Sequence, residues 1–126
     1  MPVVKKSSRR ILLVEDDRVL LRMLTQYLRQ CGYTVDQAQN GKEALERLSR
    51  SLPDVVLLDL NMPEMDGPTF MEESRRDARY ATIPVVVLSG TTTDEEQASR
   101  IGARAYLMKP IDLDVLQAVL ERVAGS

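Results

Sequence analysis

The feature that most constrains the fold is the segment at residues 55–59, a short apolar run that ends in a carboxylate, VVLLD. It has no polar residue at alternate positions, which is typical of a strand buried on both faces in the middle of a parallel sheet. The carboxyl ends of such strands line the edge where open α/β folds place their chemistry. Asp59 is therefore the first candidate for a functional residue.

Two other apolar runs have the same form. Residues 11–14 are followed at once by three acidic residues, and residues 85–88 lead directly into Ser89. Less uniform segments at 33–38 and 105–108 predict two more strands. The first of these alternates more between polar and apolar residues, which favours a position nearer a sheet edge.

Between the strands, apolar residues recur every three to four positions and predict five helices. We expect the first helix to begin after Asp17 as its N-cap and to end at Gly32. Six of its residues are predicted to face the core: Val19, Leu20, Met23, Leu24, Tyr27 and Leu28.

Later helix starts carry capping signals of their own. Asn40 with Glu43, and Thr93 with Glu96, have the spacing of a capping box, and Asp112 is placed to cap the last helix. Each of these residues stands just before an apolar periodic segment. The sequence therefore predicts the beginnings of the helices as well as their inner faces.

Five strands alternating with five helices predict an α/β fold with a doubly wound parallel sheet and helices on both faces. We predict the flavodoxin-like strand order 2-1-3-4-5, which puts the first and third strands side by side. A chain of 126 residues has room for one such domain. We place it at residues 10–124, after a polar and basic flexible tail at residues 1–9.

Composition limits the classes of partner. Seventeen basic and nineteen acidic residues give a net charge of -2, which predicts no general attraction to nucleic acid or to an anionic membrane. Cys31 is the sole cysteine, so the chain has no internal disulfide. No apolar stretch reaches the roughly 18 residues of a membrane span, and residues 1–6 lack the apolar centre of a signal peptide. We expect a cytoplasmic protein.

The predicted strand order brings scattered residues together at the carboxyl edge of the sheet: Glu15, Asp16, Asp59, Ser89 and Lys109. Three carboxylates in one cleft repel each other, and at an effective dielectric constant of ~20 a pair about 4 Å apart costs roughly 4 kcal/mol. Either their pKa values rise or a cation binds, and a set of hard oxygen ligands favours Mg²⁺.

The other groups at this edge favour phosphoryl transfer. The carbonyl oxygen of Asn61 is placed to supply a further metal ligand, and Ser89 offers a hydroxyl donor. Lys109 is suited to pair with Asp59 and then with a phosphoryl oxygen. Such transfer depends mainly on positioning and charge neutralisation, and carboxylates serve as covalent acceptors in catalysis. We therefore predict that Asp59 is a phosphoryl acceptor.

These residues closely resemble the receiver domain of bacterial two-component response regulators. The resemblance covers residues 10–123 and is carried by four motifs in order: the acidic pair at 15–16, the acceptor segment DLNMPEMDG at 59–67, the pair SG at 89–90, and YLMKP at 106–110. Each motif alone is weakly specific, whereas the complete set on the expected elements is specific.

The resemblance implies that a sensor histidine kinase or a phosphotransfer protein donates the phosphoryl group to Asp59. It also implies a Mg²⁺ site formed by Asp16, Asp59 and the carbonyl of Asn61, with Glu15 acting through water. Ser89 and Lys109 would bind the phosphoryl oxygens.

The resemblance further implies a switch. When Ser89 is drawn to the phosphate, the aromatic side chain of Tyr106 turns inward and remodels the face formed by the fourth helix, fifth strand and fifth helix, where an unknown target protein docks. Gly90 departs from the pattern, because alanine is more usual at this position.

Three functions remain open from the sequence. The first is a phosphorylatable receiver that is not an enzyme beyond its own phosphorylation and dephosphorylation, and that works as a monomer or weak dimer. The second is a phosphatase of the haloacid dehalogenase type, which would need a second aspartate where Asn61 stands. The third is a degenerate receiver that only binds proteins. If the chain is a phosphorylatable receiver, three contexts stay open: a stand-alone regulator of the chemotaxis-regulator kind, a phosphorelay intermediate, or the receiver of a longer protein.

Overall fold

A five-stranded parallel sheet forms the centre of the computed structural model, which describes residues 9–60, 67–90 and 94–124. The strands are β1 (Arg10–Val14), β2 (Thr34–Ala38), β3 (Val55–Asp59), β4 (Val85–Ser89) and β5 (Ala105–Met108). The helices are α1 (Arg18–Gln30), α2 (Gly41–Arg50), α3 (Gly67–Arg75), α4 (Asp94–Arg100) and α5 (Leu113–Val123). The strand order β2-β1-β3-β4-β5 confirms the prediction.

The sheet separates two apolar clusters. Alternate residues of β1 point to opposite clusters, so that Leu13 packs on the side of α1 and α5, and Leu12 packs on the side of α2 and α3. Every residue of β3 and of β4 is buried. This burial on both faces explains why neither strand shows the polar alternation of a strand with one solvated face.

The predicted inner face of α1 is wrong at two positions. Val19 is 79% exposed and Met23 is 45% exposed, while Leu21 and Thr25 are buried. The other predicted core residues are buried or partly buried: Leu20, Leu24, Tyr27 and Leu28. The error arose because the apolar residues of the first two turns spread too widely around the helix to fix one face.

Thr25 was missed because a threonine does not count toward an apolar pattern. Its hydroxyl oxygen accepts a hydrogen bond from Nε2 of Gln37 at 2.8 Å, so the polar atom has a partner although the side chain is buried. The stripe Leu21, Leu24, Thr25 and Leu28 then has the i, i+3, i+4, i+7 spacing of one helix face.

This correction is testable with two adjacent residues of α1. We expect Leu24→Ala to lower the free energy of unfolding by about 2–5 kcal/mol, because a fully buried side chain leaves a cavity. We expect Met23→Ala to change it by only about 0.5 kcal/mol, because that side chain is nearly half exposed and lies outside the core. Urea unfolding of both variants measures the difference, and equal losses would contradict the assigned face.

Side-chain oxygens cap the helices as predicted. Asp17 and Asp112 each accept hydrogen bonds from two amides in the first turn of α1 and α5. The Asn40 side chain accepts from the amide of Glu43 at 2.8 Å, and the Glu43 carboxylate accepts from the amide of Gln39 at 2.8 Å. The side chain of Glu43 thus returns to the backbone just before α2, as in a capping box.

Three predicted features fall outside the described residues: the tail up to residue 8, the part of the acceptor segment at 61–66 that includes Asn61, and Thr93. In the described part of the chain, no helix combines the length and the apolar character needed to cross a membrane.

Candidate functional site

Three carboxylates meet at the carboxyl edge of the sheet. Glu15 and Asp16 follow β1, Asp59 ends the neighbouring β3, and each offers an oxygen within 4.8 Å of the others. Glu15 is fully buried, Asp59 is 5% exposed and Asp16 is exposed. The cluster is therefore open to solvent at Asp16, whereas the carboxylates of Glu15 and Asp59 lie inside the protein.

The Glu15 carboxylate is fixed by backbone geometry. The amide of Glu15 donates to the carbonyl of Ala38 at 3.0 Å and so extends the β1–β2 ladder by one residue. The amide of Asp17 donates to Oε2 of Glu15 at 3.1 Å. The other oxygen, Oε1, is buried and is paired with the ammonium group of Lys109 at 2.9 Å, a charge-assisted contact.

Lys109 brings the positive charge into the cluster from the end of β5. Its Nζ atom lies 2.9 Å from Oε1 of Glu15 and 3.8 Å from Oδ1 of Asp59. The sequence predicts that Lys109 pairs with Asp59, but Glu15 is the nearer partner. Because both carboxylates lie within reach of one ammonium group, a small movement of the lysine can exchange one partner for the other.

The surroundings of Lys109 act on its pKa in opposite directions. Partial burial is the largest single influence and lowers the pKa, whereas the contact with Glu15 and the charges of Asp59 and Asp16 raise it. The carboxylates prevail, so the pKa of Lys109 is raised above the ordinary lysine value. The group therefore carries a full positive charge at neutral pH.

Ser89 lies beside this cluster because β4 is the neighbour of β3. It is the last residue of β4, one position beyond the residue paired with Asp59, and it is fully buried. Its carbonyl oxygen accepts a hydrogen bond from the amide of Lys109 at 2.6 Å, which ties the ends of β4 and β5 together. Gly90, which follows, is exposed, and a Cβ atom there would meet none of the residues that the structure describes within 4 Å. An alanine would therefore fit against these residues without a clash.

Tyr106 occupies the middle of β5, opposite Val87 of β4. Its side chain is partly buried and packs against the apolar cluster on the side of α2 and α3. Tyr106 is thus neither fully exposed nor fully buried.

The structure therefore gathers five predicted site residues at one edge of the sheet: Glu15, Asp16, Asp59, Ser89 and Lys109. Sequence reasoning missed the amide of Asp17 as a donor to the cluster. The signal available was the helix start itself, since an N-cap residue leaves its own amide free to bind a nearby acceptor.

Comparison with known proteins establishes the family. Residues 11–121 match the profile described as the response regulator receiver domain, and the chain belongs to this family. It is accordingly a receiver domain of two-component signalling, with the flavodoxin-like fold predicted above.

Similar curated proteins are longer than this chain. Response regulator Rre1 of Synechocystis is 37% identical over 116 residues, which is 90% of this chain and 50% of that protein. Transcriptional regulatory protein ZraR of Escherichia coli K12 is 40% identical over 114 residues, 89% of this chain and 25% of that protein. The chain thus spans a quarter to a half of the length of these two relatives.

Solved structures agree with the fold. The receiver domain of sensor histidine kinase PA1611 from Pseudomonas aeruginosa PAO1, with magnesium coordinated in its active site cleft, has a TM-score of 0.88 and 31% identity. That match covers 94% of this chain and 99% of the other. Chemotaxis response regulator CheY4 of Vibrio cholerae has a TM-score of 0.84 and 32% identity, with 91% and 98% covered.

Proposed function

We propose that this receiver domain accepts a phosphoryl group on Asp59 from a sensor histidine kinase or a phosphotransfer protein. The observation that carries the proposal is the carboxylate cluster at the end of β1 and β3, in which Nζ of Lys109 lies 3.8 Å from Oδ1 of Asp59. An almost fully buried carboxylate beside a charged ammonium group and two further acids is suited to phosphoryl transfer rather than to a structural ion pair.

The cluster fits a divalent cation. Its donors are hard carboxylate oxygens, Asp16 is open to solvent, and three carboxylates lie together beside one ammonium group, that of Lys109. Asp16 and Asp59 would hold Mg²⁺, with Glu15 acting through water and the carbonyl of Asn61, outside the described residues, as a further ligand. Mg²⁺, when bound, would neutralise charge on the transferring phosphoryl group.

The chain's own residues would then do the following. An Asp59 carboxylate oxygen forms a bond to phosphorus as the bond from phosphorus to the donor's imidazole nitrogen breaks, and the electron pair of that bond returns to the nitrogen. Lys109 moves from Glu15 toward the phosphoryl oxygens, which carry the larger charge. The hydroxyl of Ser89 donates to one of the same oxygens.

The output of the proposed function is a change of surface. Ser89 ends β4, Lys109 follows β5, and the two share a backbone hydrogen bond, so a pull on Ser89 would act on the end of β5. Tyr106 would complete its burial, and the face formed by α4, β5 and α5 would then bind a target protein. Phosphate can shift this equilibrium only by its difference in affinity for the two states.

Phosphoryl transfer to the chain itself is tested by weighing the intact protein after incubation with acetyl phosphate. We expect one phosphoryl group to be added with Mg²⁺ and none with a metal chelator. The variant Asp16→Asn should lose most of the modification, because it removes a proposed ligand. Glu46→Gln, an exposed acid on α2, serves as the matched control and should behave like the parent.

Two results would contradict this function. No adduct on a folded protein with Mg²⁺ would indicate a degenerate receiver that only binds proteins. Steady release of phosphate from a phosphomonoester, with each chain turning over many times, would instead indicate a phosphatase.

A further inference from the structure

The outer edge of β2 is an open edge of the sheet within the described residues, because β2 is the first strand in the order and pairs with β1 alone. The amide of Thr34 donates to the carbonyl of Arg9, and the carbonyl of Ala38 accepts from the amide of Glu15. In a parallel ladder, alternate residues of a strand face the same neighbour. The N–H and C=O groups of Val35 and Gln37 therefore point outward, away from β1.

Both outward carbonyls of this edge are bound by arginine side chains. A terminal guanidinium nitrogen of Arg29 donates to the carbonyl of Val35 at 2.9 Å. Nε of Arg47 donates to the carbonyl of Gln37, also at 2.9 Å. The two successive acceptors that an added strand would need on β2 thus each already accept a hydrogen bond from a guanidinium group.

The two arginines reach the edge from opposite faces of the sheet. Arg29 lies in the last turn of α1, whose core residues belong to one apolar cluster, and Arg47 lies on α2, whose core residues belong to the other. A strand approaching the edge from outside would meet a charged group above and another below. Charged side chains on an edge are a known means of preventing pairing between sheets.

We propose that Arg29 and Arg47 together close the β2 edge against strand addition by a second copy of this chain. The strand itself specifies that occupant. Antiparallel pairing about a two-fold axis at Asp36 would set Val35 of one copy opposite Gln37 of the other, so that each outward amide meets an outward carbonyl. The guanidinium of Arg10 lies 3.2 Å from Asp36 and balances the charge that would otherwise repel at the axis.

The proposal concerns self-association only and does not depend on phosphorylation. The test uses the full chain with Arg29→Met and Arg47→Met together, called the uncapped variant. These substitutions keep the aliphatic stems of the two side chains and delete the hydrogen-bond donors. The matched control is Arg22→Met with Arg50→Met, two exposed arginines on the same two helices. Sedimentation velocity over a concentration series measures association, and amide hydrogen exchange at Val35 and Gln37 locates it.

We expect the uncapped variant to associate at a roughly tenfold lower concentration than the parent and the control, since a charge-assisted hydrogen bond is lost at each acceptor. The amides of Val35 and Gln37 should become protected as it associates. Each single variant should show a smaller shift, which keeps the test valid if the double variant is unfolded by circular dichroism. Equal association of uncapped variant and control, or association without protection of these amides, would overturn the proposal.

Discussion

The variant Asp59→Asn is expected to lose phosphoryl acceptance entirely while keeping its fold. An amide nitrogen in place of one carboxylate oxygen removes both the nucleophile and one proposed metal ligand, whereas the shape of the side chain is unchanged. The substitution also relieves repulsion, because Asp59 lies within 4.8 Å of two other carboxylates. We therefore expect no loss of stability in urea unfolding.

The matched control for this variant is Asp114→Asn, which makes the same chemical change at an exposed position in the first turn of α5. It should accept a phosphoryl group as the parent does. Retention of the adduct in Asp59→Asn, or its loss in Asp114→Asn, would contradict the assignment of Asp59 as acceptor.

Replacing Lys109 by methionine is expected to slow phosphoryl incorporation by about 10²–10³-fold, the usual loss when one preorganised donor to a transition-state oxygen is removed. Methionine keeps the length of the stem and removes the ammonium group, with its charge and its hydrogen-bond donors. The same change leaves Glu15 fully buried without its counter-ion, so we also expect a lower free energy of unfolding. The rate must therefore be measured under conditions where the variant is folded.

Two comparisons separate the charge of Lys109 from its structural role. Lys42→Met removes an exposed lysine from α2 and should leave the rate unchanged. Mg²⁺ should restore the stability of Lys109→Met in urea unfolding, because a cation at the carboxylates replaces the lost charge. The rate, which is measured with Mg²⁺ present, should stay about 10²–10³-fold below that of the parent. A folded variant that reaches the rate of the parent under these conditions would show that Lys109 acts only by holding the fold.

The fold was predictable because the sequence is locally consistent. The uniform apolar composition of β3 and β4 reflects burial on both faces, and the short crossovers between parallel strands leave few topologies. Once the order of strands is given, Glu15, Asp59 and Lys109 must lie at one edge, since each stands at the carboxyl end of a strand.

The sequence did not determine which of several nearby residues a side chain contacts, or which residues of a helix face the core. The inner face of α1 depends on a helix rotation that its widely spread apolar residues do not determine, and Thr25 is buried through a hydrogen bond that periodicity cannot register. The partner of Lys109 depends on differences of about an ångström between two carboxylates. The hydrogen bonds from Arg29 and Arg47 to β2 join residues that are 6 and 10 positions apart in the sequence, and no sequence motif predicts them.

The most direct test of the central claim is to find which residue carries the phosphoryl group. The protein treated with acetyl phosphate and Mg²⁺ is reduced with borohydride, which converts an aspartyl phosphate to homoserine, and its peptides are then sequenced by mass spectrometry. We predict homoserine at position 59 and at no other aspartate. Homoserine at Asp16 or at a surface aspartate, with Asp59 unmodified, would contradict the account.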